Sequence, residues 1–112
     1  MFNFYFLDLP KCKLNQKIYY GVAKHETAKI ECQVDADPSD VTFSWRFNNT
    51  NSQNVDSVSF TSEGMKSLAS YIPKVDMDYG MLLCWAQNRV GKQQEPCTFF
   101  IIEAGINVIL IN

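Results

Sequence analysis

Hydrophobic and polar residues alternate along several short stretches of this chain. Residues 27–34 and 41–47 show the alternation most clearly, and Leu82, Cys84 and Ala86 share one face of a further predicted strand. A period of two places successive side chains on opposite faces of a β-strand, so each stretch predicts a strand with one buried face. The predicted inward-facing residues are Ala28, Ile30, Cys32, Val34, Val41, Phe43, Trp45, Phe47, Leu82, Cys84 and Ala86.

Weaker patterns complete the set of strands. Residues 10–20 predict a broken edge strand, because a proline and several lysines are tolerated at a sheet edge and protect it from pairing with other chains. Residues 55–61 and 66–72 predict two strands joined by a turn at 62–64, and residues 93–102 predict the last strand. About seven or eight short strands without a convincing helix predict an all-β, antiparallel β-sandwich.

Two phases are open for the predicted strand at residues 66–72. Leu68 and Ile72 face the core in one phase, whereas Ala69 and Tyr71 face it in the other. A slip of one residue exchanges the two faces of a strand, so the two phases predict different cores.

Length and charge narrow the picture further. The 112 residues suit one compact domain, which we expect at residues 10–105. The tails at 1–9 and 106–112 lack the alternation, so one or both are expected to lie outside the native domain, unless the first adds an edge strand. The 10 basic residues are scattered singly against 12 acidic ones, which argues against nucleic acid as a partner.

The chain has four cysteines and no Cys-x-x-Cys pair. This spacing favours a disulfide framework over a zinc site, and disulfides belong to an oxidising compartment. No apolar run is long enough to cross a bilayer, and no secretory signal can be identified at the N-terminus. We therefore expect an extracellular domain that is part of a longer protein.

Three residues carry a resemblance to a known fold. The order Cys32, Trp45 and Cys84, with Asp78 and Gly80 just before the second cysteine, resembles an immunoglobulin-like domain, and residues 86–91 resemble its intermediate set. The resemblance implies an immunoglobulin-like antiparallel β-sandwich. Leu82 replaces the tyrosine usual two residues before the second cysteine. The tyrosine-corner hydrogen bond is therefore expected to be missing, with Tyr79 out of phase to replace it.

A narrower resemblance extends over most of residues 10–105. It rests on residues 12–13, 20–26, 34–39, 47–49, 79–88, 95–97 and 104–105. These segments resemble one domain of the arthropod sidestep-type cell-surface receptors. The resemblance implies a module of a multidomain ectodomain at the cell surface, with adjacent immunoglobulin domains and a membrane anchor elsewhere. It also implies axon guidance or cell adhesion, with beaten-path-type immunoglobulin proteins as partners.

The cysteines allow three pairings. Inward phasing on strands of opposite sheets favours a bond between Cys32 and Cys84, with Trp45 packed on it in the core. Cys12 and Cys97 then remain, and would tie the first strand to the last, which we expect to lie side by side. The alternative for that second pair is two unbridged thiols.

No arrangement of residues predicts catalysis. His25 is the only histidine and lies in a predicted turn, and no Gly-rich phosphate loop, metal site or cofactor site can be identified. We therefore predict a non-enzymatic protein. Separately, Asn48 begins an N-glycosylation sequon in a polar loop, and it is the predicted glycosylation site.

An outward-facing surface is the candidate for recognition. If Cys84 faces inward, Trp85 faces outward, and Arg46, Phe100 and Ile102 share its face. Tryptophan, phenylalanine and arginine are enriched at interface hot spots. The leading prediction is therefore a protein-binding module of an adhesion or guidance receptor. A structural spacer domain within a multi-domain ectodomain and a secreted recognition protein are the alternatives.

Overall fold

Two four-stranded sheets face each other in the computed structural model, which describes residues 8–48 and 58–105. Residues 1–7 and 106–112, which include most of the two predicted tails, lie outside the described part. The strands are β1 Asp8–Cys12, β2 Tyr19–Val22, β3 Ala28–Asp37, β4 Thr42–Asn48, β5 Ser59–Glu63, β6 Lys66–Tyr71, β7 Gly80–Gln87 and β8 Cys97–Glu103, with a short 3-10 turn at Asp76–Asp78. This confirms the predicted all-β sandwich.

The strand order is β1-β3-β6-β5 in one sheet and β2-β8-β7-β4 in the other. All pairs are antiparallel except β2 and β8, which run parallel. The broken edge strand predicted at 10–20 is present as two edge strands, and the break between them moves the chain to the opposite sheet, because β1 lies beside β3 and β2 beside β8. Between them the chain turns at Asn15, whose φ of 66° suits asparagine, and crosses from one sheet to the other.

The core lies between the sheets and is built from the predicted inward-facing residues. Cys32, Cys84 and Leu82 are fully buried. Trp45 pairs with Cys84 across β4 and β7, and its indole Nε1 donates a hydrogen bond of 2.9 Å to Ser67 Oγ. The only polar atom of the indole ring is therefore satisfied inside the core, as a buried N–H requires.

The phase of β6 follows from this contact. Ser67 and Ala69 are fully buried, Tyr71 packs against the core, and Ile72 is 43% exposed, so the phase with Ala69 and Tyr71 inward is the one adopted. The small side chain of Ser67 leaves room for the indole ring.

The hairpin between β5 and β6 is tighter than the predicted turn at 62–64. Glu63 pairs with Lys66, so only Gly64 and Met65 form the turn. Gly64 has a φ of 60°, a conformation that glycine adopts without steric cost. The strand therefore continues to Glu63, two residues beyond its predicted end.

A hydrogen bond from another strand replaces the one expected to be lost at Leu82. The Oη of Tyr71 donates to the carbonyl oxygen of Asp78 at 2.7 Å, while the Asp78 carboxylate accepts from the backbone N–H groups of Lys74 and Val75. Burial of its ring raises the pKa of Tyr71 above the ordinary value of tyrosine. Thus the corner before β7 is held by β6, although the side chain of Leu82 cannot donate a hydrogen bond.

Two disulfides join the sheets. Cys32 bonds to Cys84, with a Cα–Cα distance of 6.7 Å, and Cys12 bonds to Cys97, with a Cα–Cα distance of 5.6 Å. The expected side-by-side arrangement of the first and last strands is wrong for β1, which lies in the sheet opposite β8; the neighbour of β8 is β2.

The last strand begins at Cys97 rather than at residue 93. Gln93 is instead buried, where its Oε1 accepts from the N–H of Ala86 and its Nε2 lies 3.1 Å from Cys12 Sγ. Pro96 then precedes β8, and a proline has no N–H to give to a sheet ladder.

Asn88 organises the end of the sandwich where β1 begins. Its side-chain amide donates to the carbonyl oxygens of Asp8 and Pro38, and its Oδ1 accepts from the N–H groups of Val90 and Gly91. A single buried side chain thus ties the first strand, the turn before β4 and the 88–91 turn together.

Candidate interaction surface

The outer face of the β2-β8-β7-β4 sheet carries the candidate surface. Along β7, Leu82, Cys84 and Ala86 are buried, so Leu83 and Trp85 face away from the core. The same alternation holds in β4 and β8. We call this the aromatic face; its members are Tyr19, Ser44, Arg46, Met81, Leu83, Trp85, Thr98, Phe100 and Ile102.

Trp85 forms the centre of a first cluster on the aromatic face. Its indole ring has the guanidinium carbon of Arg46 at 6.0 Å and the Nζ of Lys92 at 5.0 Å from its centroid. Ser44 pairs with Trp85 across β4 and β7. These residues and Trp45 line a shallow hollow of about 250 Å³. The two cations lie within range of the π-electrons of the indole, where a cation–π attraction operates.

A second cluster occupies the β2 side of the aromatic face. Tyr19 and Phe100 stack with their ring centroids 5.2 Å apart, and Met81 pairs with Phe100 from β7. Tyr19 remains 42% exposed and Ile18, which precedes it, 38% exposed. Ile102 pairs with Gly21 on the same face. The stacked pair is therefore an apolar surface that still contacts solvent.

The structure places all four residues of the predicted interface on one face but divides them between the two clusters. Arg46 contacts Trp85, whereas Phe100 contacts Tyr19 and lies on the same side as Ile102. Between the clusters lie Leu83 and its neighbour Thr98.

Sequence reasoning missed Lys92, Tyr19 and Met81, although the inward position of Leu82 was a usable signal for Met81. The turn at 88–91 returns the chain so that Gln87 pairs with Lys92, and that turn was a usable signal for Lys92. Tyr19 had no such signal, because its place depends on the parallel pairing of β2 with β8.

Two other residues considered from the sequence are the predicted glycosylation site Asn48, which borders the second cluster, and His25, which lies away from both clusters. Asn48 ends β4 opposite Met81, while the other two residues of its sequon, 49 and 50, lie outside the described residues. His25 is exposed in a turn with a φ of 69°, and its backbone N–H donates to the carbonyl of Pro73. Within residues 8–48 and 58–105 there is no group of three potential metal ligands, and no helix is long and apolar enough to cross a membrane.

Lys24 makes two ion pairs at the end of the sandwich where β8 finishes. Lys24 Nζ lies 2.8 Å from Asp76 Oδ1 and 2.9 Å from Glu103 Oε2. Hydrogen bonds to Asp76 and then Glu103 raise the pKa of Lys24 above its ordinary value. The Oη of the adjacent Tyr79 donates to the carbonyl of Val22 at 2.8 Å, so side-chain contacts hold β2, β8 and the 3-10 turn together.

Comparison with known proteins gives a family and a set of similar structures. The family model described as Immunoglobulin I-set domain matches residues 14–101. Comparison with curated protein sequences gives no match.

Among solved structures, the chain is similar to the I-band fragment I67-I69 from titin, with a TM-score of 0.67 and 18% identity over 87% of this chain and 33% of that chain. It is also similar to titin M4, with a TM-score of 0.63 and 13% identity over 88% of this chain and 98% of that one. A third similar structure is the Titin M10-Obscurin like 1 Ig complex, with a TM-score of 0.58 and 20% identity over 84% of this chain and 94% of that chain. The chain thus spans about a third of the I-band fragment. Because the three identities are 20% or lower, the similarity to these structures supports the fold of this chain alone.

Proposed function

The chain belongs to the immunoglobulin I-set domain family, whose members serve as protein-interaction or structural modules, and on that premise we propose that it recognises a protein partner through its aromatic face. The supporting observation is the composition of that face, where Trp85, Phe100, Tyr19 and Arg46 project from one sheet. Aromatic residues and arginine are the side chains that most often supply binding energy at interfaces.

The proposed setting is the ectodomain of a cell-surface adhesion or axon-guidance receptor. Two disulfides in a small domain are typical of proteins that fold in an oxidising compartment. The motif resemblance to sidestep-type receptors suggests beaten-path-type immunoglobulin proteins as partners. Among similar structures, the Titin M10-Obscurin like 1 Ig complex provides a precedent for pairing between domains of this fold.

One observation favours a spacer role as the second candidate. β1 begins near Asp37 and Asn88, whereas β8 ends near Val22, and the ten residues of β3 separate these two ends. A ten-residue strand is about 33 Å long. Neighbouring domains would therefore attach at opposite poles, which suits a linear array that holds a distal domain away from the membrane.

The test compares the two outer faces. The full chain with all four cysteines oxidised is immobilised, and the ectodomains of beaten-path-type proteins are passed over it in a surface plasmon resonance experiment. Replacing Trp85 with Ser should weaken binding by about 30-fold, the effect of losing one hot-spot residue. The matched control is Leu68→Ser, which removes an apolar side chain from the outer face of the opposite sheet and should change affinity by less than about twofold.

Two results would reject the proposal. Equal affinities of Trp85→Ser and the parent chain, with both folded by circular dichroism, would remove the aromatic face as the binding site. Failure of the parent chain to bind any of the ectodomains, together with a linear arrangement in the full-length protein by small-angle X-ray scattering, would favour the spacer role.

A further inference from the structure

The hollow in the first cluster of the aromatic face is lined by two cations and an indole ring. Its lining residues are Ser44, Trp45, Arg46, Trp85 and Lys92, and none of these is acidic. Both cations approach the same indole ring, at 6.0 Å and 5.0 Å. The hollow therefore combines an apolar aromatic surface with two positive charges.

Building on the proposed function, we infer that this hollow takes an aspartate or glutamate side chain from the protein partner. The carboxylate would pair with Lys92, beside the guanidinium of Arg46, and the methylene groups of the same side chain would lie on the indole of Trp85. The chemistry is complementary, since charge-assisted hydrogen bonds to arginine and lysine are the strongest that a carboxylate makes.

The chain as a whole does not attract acidic partners, and this makes the local arrangement informative. It carries 10 basic and 12 acidic residues, for a formal net charge of −2. Attraction of a carboxylate to the hollow would therefore come from the local cations, with Lys92 first among them, rather than from a general positive field. A single carboxylate suits so small a basic site better than a sulfated polysaccharide does, because polyanions are bound by dense basic patches.

Lys92 is the residue on which to test the inference. It is exposed and follows the 88–91 turn, and its side chain points to the indole rather than into the core. Lys29 provides a matched control, because it is also an exposed lysine. It lies on the sheet opposite the aromatic face, where it donates to Ser70 Oγ of the neighbouring strand. Charge reversal at either position changes the net charge of the chain equally.

The experiment uses the partner ectodomain from the binding test above and compares Lys92→Glu, Lys92→Gln and Lys29→Glu. We expect Lys92→Glu to weaken affinity by about 50-fold and Lys92→Gln by about fivefold, with Lys29→Glu within about twofold of the parent. The loss should appear in both rate constants, and the parent should lose affinity between 50 and 500 mM NaCl more steeply than Lys92→Glu does.

The outcomes separate this inference from the proposed function. If Trp85→Ser abolishes binding but Lys92→Glu behaves like Lys29→Glu, the aromatic face remains the binding site and the carboxylate is rejected. If heparin competes with the partner for the parent chain but not for Lys92→Glu, the occupant is a polyanion and the inference is also rejected. Absence of any binding by the parent chain removes both. Thermal unfolding of each variant shows whether a loss of affinity reflects misfolding, and Lys92→Gln provides the milder test if the reversal does not fold.

Discussion

The outer faces of the two sheets differ sharply in chemistry although they belong to the same sandwich. On the β1-β3-β6-β5 sheet, Lys29 donates to Ser70 Oγ at 2.7 Å, Gln33 donates to Glu31 at 2.6 Å, and Lys66 lies 3.9 Å from the same carboxylate. On the other sheet the corresponding neighbours are aromatic rings, aliphatic side chains and two cations near an indole.

This contrast separates what the fold requires from what recognition requires. Both sheets need one apolar face toward the core, but neither needs an apolar face toward solvent. Polar pairs on an exposed face satisfy one another and water, and contribute little to stability. Exposed aromatic residues gain most of their available free energy only when something covers them. A partner that covers the aromatic face therefore gains more free energy than one that covers the polar face.

The largest expected effect is on the stability of the whole sandwich, and therefore on both of its outer faces. Replacing Cys32 and Cys84 together with Ala should lower the free energy of unfolding by about 4 kcal/mol on the chain-entropy model. Both sulfurs are fully buried, so loss of packing adds to that cost. Chemical denaturation of the oxidised full chain, followed by Trp fluorescence, measures the change.

The other disulfide provides the comparison for that prediction. Replacing Cys12 and Cys97 with Ala removes a bond of longer sequence separation, but Cys12 is only partly buried. We expect the Cys12 and Cys97 variant to be the more stable of the two. A variant without Cys32 and Cys84 that unfolds at the parent's denaturant concentration would contradict the account of the core given above.

The second prediction concerns the bond that links the core to the polar sheet. Changing Ser67 to Ala leaves the indole N–H of Trp45 buried without its partner, at a cost of about 1–3 kcal/mol. Urea denaturation gives the difference. Ser62→Ala is the control, because Ser62 also contacts Ser67 Oγ but is exposed, and we expect a change below about 0.5 kcal/mol. Equal effects of the two changes would show that the indole bond does not stabilise the fold.

The alternation of apolar and polar residues was sufficient to predict the faces of β3 and β4, whereas the faces of β7, which is apolar throughout residues 82–86, followed from the inward position of Cys84. A strand has a period of two, so knowing that Cys84 faces inward determines that Trp85 faces outward. The same local rule could not choose the phase of β6. That choice depends on the hydrogen bond between Trp45 and Ser67, two residues brought together from different sheets.

Long-range pairing explains the other errors. The place of β2 beside β8 joins residues such as Tyr19 and Phe100, which are far apart in sequence, and no local pattern specifies which sheet a short edge strand enters. The two clusters on the aromatic face arise from this pairing and from the return of Lys92 beside Gln87. The phase of the strands could therefore predict that Trp85, Arg46, Phe100 and Ile102 share an outer face, but not how they are grouped on it.

The third prediction concerns the corner before β7, where the aromatic sheet receives its support from β6. Replacing Tyr71 with Phe removes the donor to the Asp78 carbonyl and should cost about 1 kcal/mol at pH 7. The pKa of Tyr71 is raised in the folded chain, so the unfolded chain ionises first, near pH 10. The stability contributed by neutral Tyr71 is complete below pH 10 and is lost as the pH rises above it.

Denaturation at pH 7, 9, 10.5 and 11 tests this sign. The difference in free energy of unfolding between the parent and Tyr71→Phe should be constant up to pH 9 and then narrow. Tyr20 and Tyr79 also have raised pKa values, but they are present in both proteins and contribute equally. A difference that widens above pH 10 would mean that ionised Tyr71 is favoured by the fold, contrary to its burial.

The smallest expected effects are on the polar face. Lys29→Ala removes the contact with Ser70, and Glu31→Gln removes the charge facing Lys66. Each should change the free energy of unfolding by less than about 0.5 kcal/mol, because exposed pairs lose to solvation and side-chain entropy most of what they gain. A double-mutant cycle of Lys29→Ala with Ser70→Ala isolates the pair, and partner binding should be unchanged in all of these variants. If one of them weakened binding as much as Trp85→Ser does, the division of the sandwich into a recognition face and a solvent face would be wrong, since the polar sheet would then share in the contact.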